Sequence, residues 1–427
     1  MKKRLRVLTL GCSKNTVDTE HLLAQLPADA FVIVEDEGAV DYQLINTCGF
    51  IGDAKEESIA AILQAVELKN DGLIGELAVF GCLSQRYMND LKEEIPEVDA
   101  WFGARDLTPV LAYLGVQAAP FVKRRLSSKK GYAYLKISEG CDRRCSYCAI
   151  PFIRGAHKSV PIEDILAEAN SLAAEGVKEL ILIAQDTTYY GLDLYGRRAL
   201  AELIEKLSEI PQIEWIRIHY SYPASFPEDV LQQMANNPKV CKYLDIPLQH
   251  IADGVLDKMH RHVDGAWTRE LIARLRQMVP GVALRTTMIV GHPGEGEKEF
   301  EELLQFTRDA RFERMGAFTY SEEEGTYGAK HLEDDVPEEE KQRRYDLLMN
   351  EQREISLAYN ESRVGSELKV IVDEIVGETL VCRSEYESPE VDGEIIVKGA
   401  DGVRVGDFIK VRILSAEFYD LLAERII

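Results

Sequence analysis

Glu139-Gly140-Cys141-Asp142-Arg143-Arg144-Cys145-Ser146-Tyr147-Cys148 is the stretch whose reading orders the rest of the chain. Its cysteines are spaced C-x3-C-x2-C. Residues 132–137, just before it, alternate and are rich in β-formers, so they read as a strand. Gly140 then permits a sharp turn into the loop. Thiolates on so short a loop can face one point, which is what a metal ion or cluster requires. A structural zinc site closes with four protein ligands. This loop supplies three and has no nearby C-x2-C partner. An iron–sulfur cluster on three cysteines instead leaves one iron open to a small molecule. The competing readings are zinc completed by a distant fourth ligand, or unrelated cysteines in a reducing cytosol.

The chain has 427 residues, 46% apolar and 29% charged, which suits a soluble protein of two to four domains. Its formal charge is −23. So acidic a surface repels free nucleic acid and favours a basic partner, although a local patch could still meet RNA. Eight cysteines are too sparse here for a disulfide scaffold. The apolar run at 7–10 is too short for a signal peptide, and no stretch reaches the ~18 apolar residues of a membrane helix. A cytoplasmic protein without membrane contact is expected.

Residues 1–117 alternate strands (6–10, 42–46, 77–80) with helices (17–26, 54–68, 84–91), which predicts an open parallel α/β sheet. Asp18 and Glu20 are expected in the first turn of the first helix. Cys12, Cys48 and Cys82 each follow one of these strands. Ligands of such sheets sit at the carboxyl ends of the strands, so the three cysteines could form a second site. The alternative is that each is a small buried apolar residue. Residues 118–130, with Pro120 and five basic residues, read as a linker.

The βα rhythm resumes over 131–360. Strands at 132–137, 179–183, 215–220, 243–246, 283–289 and 314–319, with helices between them, predict an open (βα)6 barrel. The cysteine loop follows the first strand, on the face where barrel chemistry sits. Gln185, Asp186, Thr187, His219, Tyr220, Gln249 and His250 follow other strands and are candidate pocket lining. In Val290-Gly291-His292-Pro293-Gly294-Glu295, the glycines leave room for a ligand to approach. The histidines receive no metal role. Residues 332–345 read as a solvated charged face, and a helix at 347–357 as a cover for the barrel's open edge. Residues 362–427 predict a small antiparallel β-barrel of the nucleic-acid-binding sort. Its 14 acidic residues against 8 basic ones, a net of −6, fit a basic protein better than RNA. Cys241 and Cys382 read as packing residues.

The C-x3-C-x2-C loop, with Tyr147 before its last cysteine, resembles the signature of the radical S-adenosylmethionine (SAM) enzymes. The resemblance implies that Cys141, Cys145 and Cys148 hold a 4Fe-4S cluster whose open iron binds SAM. Reductive cleavage of SAM then yields a 5′-deoxyadenosyl radical that abstracts hydrogen from carbon. The order of domains resembles the methylthiotransferases, which implies a second 4Fe-4S cluster on Cys12, Cys48 and Cys82. The stretches 10–20, 46–51 and 388–393 resemble the RimO branch. That branch adds a methylthio group to an aspartate β-carbon of the twelfth small-subunit ribosomal protein. The resemblance implies two SAM molecules per turnover, the free ribosomal protein or the assembled subunit as substrate, an electron donor and an adaptor protein. Tyr147, Gln185, Gln249, Arg285 and Gly291 are assigned to the cofactor pocket. After Ile153-Arg154-Gly155 the chain is less arginine-rich than this pattern, and 419–422 lacks an expected tryptophan. A tRNA adenosine is the alternative substrate. A non-catalytic metal protein that docks on the ribosome is the alternative class.

Overall fold

A computed structural model describes residues 2–119, 124–127 and 131–426. Contacts divide the chain into two compact units. The first comprises Met1–Ser127, Glu139–Arg143 and Cys148–Lys158; the second comprises Ser128–Ser138, Arg144–Tyr147 and Ser159–Ile427. Most of the linker expected at 118–130 lies outside the described residues.

In the first unit the elements run β1 (Lys3–Thr9), α1 (Ser13–Ala24), β2 (Phe31–Ile33), β3 (Val40–Thr47), α2 (Gly52–Asn70), β4 (Ile74–Gly81), α3 (Cys82–Glu94), β5 (Ala100–Trp101) and α4 (Thr108–Tyr113). The sheet is parallel, in the order β2-β1-β3-β4-β5. Strand alternation sends neighbouring residues to opposite faces. Leu44 and Phe80 pack with Leu22 and Val110, while Ile45 and Val79 pack with Ile62 and Leu83. Helices therefore cover both faces, and the sheet reads as near-continuous apolar runs. The two- and three-residue strands β5 and β2 are too short to leave a periodic signal in the sequence.

One expectation is corrected here. Helix α1 begins at Ser13, so Asp18 and Glu20 lie in its interior, and both are buried. Arginines explain the burial: Asp18 pairs with Arg154 at 2.6 Å and Glu20 with Arg124 at 3.0 Å. A buried carboxylate persists only when it is paired in this way.

The chain continues through β6 (Tyr132–Lys136) and β7 (Ser138–Glu139) to the cysteine loop, α5 (Ile150–Arg154) and β8 (Lys158–Ser159). In the second unit β6 is joined by β9 (Glu179–Ile183), β10 (Trp215–Ile218), β11 (Val240–Asp245), β12 (Ala283–Val290) and β13 (Arg314–Thr319). The intervening helices are α6 (Ile162–Ala174), α7 (Leu192–Tyr195), α8 (Leu200–Ser208), α9 (Glu228–Asn236), α10 (Asp253–Lys258), α11 (Gly265–Met278) and α12 (Glu297–Ala310), and α13 (Tyr327–His331) follows β13. All pairings in this six-stranded sheet are parallel, in the order β13-β12-β11-β10-β9-β6, so it is an open arc. Along β12, Leu284, Thr286 and Met288 are buried while Arg285, Thr287 and Ile289 are half-buried. The two sets face opposite sides of the sheet.

Helix α14 (Glu338–Ser362) packs on the edge strand β13 and covers the open edge. The solvated charged face expected at 332–345 is corrected in part. Lys341 and Arg344 are buried, because Lys341 reaches Asp334 at 2.6 Å and Arg344 reaches Glu295 at 2.8 Å.

The tail forms β14 (Glu367–Val376), β15 (Thr379–Arg383), β16 (Ile395–Lys398), β17 (Phe408–Ala416) and β18 (Leu421–Arg425), closed as β14-β15-β16-β18-β17. Four pairings are antiparallel, and β16–β18 is parallel. That last pairing removes the remaining strand edges. Cys382 lies in this barrel's core, and Cys241 packs with Trp215 and Tyr243. Both are the packing residues expected.

The tail belongs to the second unit because its loop 384–392 packs against the strands of the six-stranded sheet. Tyr132 and Tyr134 both donate to Glu390 at 3.0 Å, and Tyr243 donates to Asp392 at 2.7 Å. His219 Nε2 meets Ser388 at 2.7 Å. Glu179 accepts from Arg217 and Arg383, and Glu387 from Arg314 and Arg363. Burial alone would raise these two carboxyls, but the arginines hold each at about 2.

Candidate active site

Cys12, Cys48 and Cys82 lie just beyond strand ends that stand level. Thr9 pairs with Asn46, and Asn46 with Phe80. Cys12 is the residue preceding α1, Cys82 opens α3, and Cys48 leads into α2. Helix amino termini favour thiolates there. The three loops touch: a Cβ on Gly11 would lie 2.7 Å from that of Cys48, and one on Gly49 would lie 2.6 Å from Cα of Leu83. Only glycine permits such backbone approach. Burial pushes the Cys48 thiol up and Cys82 up to about 11, and the nearby Cys12 adds to both shifts. The three thiols thus sense one another.

Arg154, at the end of α5, opposes that shift. Its Nε donates to Cys82 Sγ at 3.3 Å, and Nη2 donates to Asn15 Oδ1 at 2.5 Å. Asn15 in turn donates to the carbonyls of Leu10 and Thr47, which fixes the two neighbouring loops.

In the cysteine loop, Gly140 has a φ of 79°, as its turn requires, and Cys141 N–H donates to Gly155 O at 3.0 Å. The N–H of Arg143 points at Cys141 Sγ at 3.5 Å. Within the second unit, Arg261 donates to Cys145 Sγ at 3.5 Å and to the Tyr147 hydroxyl at 3.3 Å. Ser146 is held by Met259 O at 3.0 Å and by the N–H of Gly328 at 2.7 Å. All three loop thiols are half-buried. N–H donors aimed at sulfur are the surroundings a ligating thiolate needs. Both cysteine sets therefore fit an iron–sulfur cluster. Among the described residues, no three His, Cys, Asp or Glu side chains gather tightly enough to hold a single metal ion. A four-iron cluster is gripped at separate corners, one thiolate each.

The residues assigned to the cofactor pocket fall in different places. Tyr147 packs against the cluster of Ala252, Val255 and Met259 and stands edge-on to His292. Gln249 has a φ of 75°, unusual outside glycine, and its Oε1 is buried without a hydrogen-bond partner among the described residues. Such an atom is suited to a ligand's donor. Gln185 is half-buried just after β9. Arg285 pairs with Asp245 at 2.9 Å and approaches Asp392 at 3.6 Å, on the side closed by the 384–392 loop. The aliphatic stem of Lys341 packs beside Gly291, whose backbone N–H donates to Glu295 at 2.9 Å.

Several groups expected in the pocket serve the scaffold. Asp186 accepts from Thr188 in its own turn, and Thr187 donates to His219 O. His250 meets Glu295 at 3.0 Å, fully buried, so the loop after β11 is locked to the loop after β12. Burial pushes His292 down to about 4, so it is neutral beside Ser146. A groove of about 570 Å3 in the second unit, lined by Val177, Lys178, Gln212 and Phe408, contains none of the candidate residues.

Sequence reasoning gave no role to Arg154, Arg261 or Arg344, and did not join His250 to Glu295. For Arg154 the visible signal was its place six residues after Cys148. Its partners Asp18, Asn15 and Cys82 come from distant segments and could not be foreseen.

The radical SAM superfamily model matches residues 135–307, uncharacterized protein family UPF0004 matches 4–103, and the TRAM domain matches 364–426. A Porphyromonas gingivalis protein named ribosomal protein uS12 methylthiotransferase RimO is 51% identical over 428 residues, 99% of each chain. Proteins of that name from Bacteroides fragilis and Christiangramia forsetii are 50% and 49% identical, covering 99% of this chain and 99% and 94% of theirs. The solved radical SAM methyltransferase TsrM from Kitasatospora setae, with cobalamin and a 4Fe-4S cluster bound, shares the fold at a TM-score of 0.54 and 13% identity. That match covers 75% of this chain and 72% of TsrM. The cobalamin-dependent SAM radical enzyme OxsB aligns at 0.51 and 13% identity over 83% of this chain and 56% of its own. On its full-length relatives and its radical SAM and TRAM domains, the chain belongs to the RimO family of methylthiotransferases, within the radical SAM superfamily of iron–sulfur enzymes.

Proposed function

We propose that this chain transfers a methylthio group to the β-carbon of an aspartate in ribosomal protein uS12. It does so with two 4Fe-4S clusters and two SAM molecules per turnover. The observation that carries the reading is the second cysteine set, on loops in backbone contact at the carboxyl end of their own sheet. A lone radical cluster would not need it.

When bound, the clusters and SAM supply the carbon radical, the sulfur and the methyl group. The chain supplies position and charge. Cys141, Cys145 and Cys148 hold the radical cluster, and Cys12, Cys48 and Cys82 the auxiliary one. Arg261 and the Arg143 N–H orient the loop sulfurs. Gln249 offers its unpartnered carbonyl oxygen to SAM, and Tyr147 walls the pocket. Gln185, Arg285 and Gly291 remain assigned to the same pocket, with Arg285 set by its two carboxylates. The domains are 1–117, 131–360 and 362–427. Reduction requires an external electron donor, and a ribosomal substrate places the enzyme in the cytoplasm. No described helix is long and apolar enough to cross a membrane.

Anaerobic reconstitution of the Cys12→Ala, Cys48→Ala, Cys82→Ala variant tests the reading. It should bind about four fewer irons per chain and still release 5′-deoxyadenosine on reduction, but yield no methylthiolated uS12. A variant that keeps the wild-type iron content would refute the auxiliary site. Mass spectra of uS12 and tRNA from a deletion strain decide the substrate: a methylthio group missing only from tRNA would overturn it.

A further inference from the structure

We infer that Arg154 is a positioning residue for the auxiliary cluster: it presents a buried positive charge to the Cys82 sulfur and anchors both flanks of the Cys141–Cys148 loop to that sulfur's surroundings. The inference rests on the reading that Cys12, Cys48 and Cys82 hold a cluster.

The Arg154 side chain is 2% exposed. Besides Cys82 Sγ and Asn15, it donates through Nη1 to Asp18 Oδ2 at 2.6 Å, to Glu139 Oε2 at 3.2 Å and to Ala104 O at 3.3 Å. Glu139 immediately precedes the loop, and Arg154 ends the helix that follows it. Both flanks of the loop therefore meet at one guanidinium. A planar fork with five donors can bridge such a set, which a lysine ammonium cannot copy in full.

An arginine placed only for stability would be complete with its two carboxylates. Here Asp18 and Glu139 fix Nη1, while Nε is directed at sulfur. A hydrogen bond and a positive charge on a ligand sulfur favour the reduced, more negative state of a cluster, and so raise its potential. Arg154 accordingly makes the auxiliary cluster easier to reduce than its burial would.

The test uses a full-length chain carrying Cys141→Ala, Cys145→Ala and Cys148→Ala, in which only the auxiliary cluster is reconstituted. Iron content and an EPR-monitored redox titration are read for this chain, for Arg154→Lys, and for Arg154→Met combined with Asp18→Asn. The Asp18 change removes the carboxylate that Met would strand, and far-UV circular dichroism verifies the fold. The expected result is a more negative midpoint potential in the Met variant, partly restored in the Lys variant. A folded Met variant that loses the cluster while Lys retains it also supports the inference. Wild-type potential and EPR signal in the Met variant would overturn it, as would equal loss of iron in Met and Lys. A background chain that binds no iron would overturn the auxiliary-cluster reading itself, and this inference with it.

Discussion

Gly49 shows how far the first cysteine set depends on a single absent side chain. A methyl group there meets the backbone of Leu83 and Cys82 at 2.6–3.0 Å, where no rotamer change can relieve it. Gly49→Ala should therefore displace the start of α3, cost about 1–3 kcal/mol in urea unfolding and lower the iron content of the proposed auxiliary site after reconstitution. A variant with unchanged iron and stability would show that the loops need not touch. The cysteines and this glycine are legible in the sequence. Asn15 and Asp18 are not, because a polar residue on a helix reads as exposed until its buried partner is known. The same blindness hid Arg261, whose guanidinium packs over the Tyr222 ring at 4.4 Å and whose sulfur partner is far away in the chain.

Among the elements, the 384–392 loop and the strands beneath it gather buried charge. Glu179 and Glu387 are both fully buried and both paired with arginines. Arg383→Met leaves Glu179 with Arg217 alone and should cost about 3–5 kcal/mol, measured by urea unfolding. A loss below about 1 kcal/mol would mean that Arg217 suffices. The pH dependence follows from the folded values near 2, below the ordinary carboxyl value of 4.5. Depressed carboxyls contribute stability that is complete above about pH 4.5 and is lost as pH falls toward 2. Glu387→Gln should flatten that part of the acid-unfolding curve. The strands on either side of the loop were legible from alternation and glycine turns. The loop's attachment to the six-stranded sheet was not, since it depends on tyrosines and arginines contributed by five other strands.

At the scale of the whole molecule, a net charge of −23 faces a ribosomal substrate. If the protein substrate is basic, long-range attraction speeds encounter and is screened by salt. Raising ionic strength from about 0.05 to about 0.2 M should lower kcat/KM for uS12 several-fold, with little change in 5′-deoxyadenosine release without substrate. Equal sensitivity of the two rates would point to an effect on the centre itself. The sequence alone determined the two parallel sheets and the terminal barrel, because strand and helix periods and glycine turns are local properties; it placed the cysteines at strand ends, and its motifs gave the family by resemblance. Only the tertiary structure decided that Arg154 and Arg261 point at sulfur, that the Lys341 stem packs beside Gly291, and that the terminal barrel shares a unit with the six-stranded sheet. Those facts rest on buried charges and close contacts between segments tens to hundreds of residues apart, and local pattern carries no record of them.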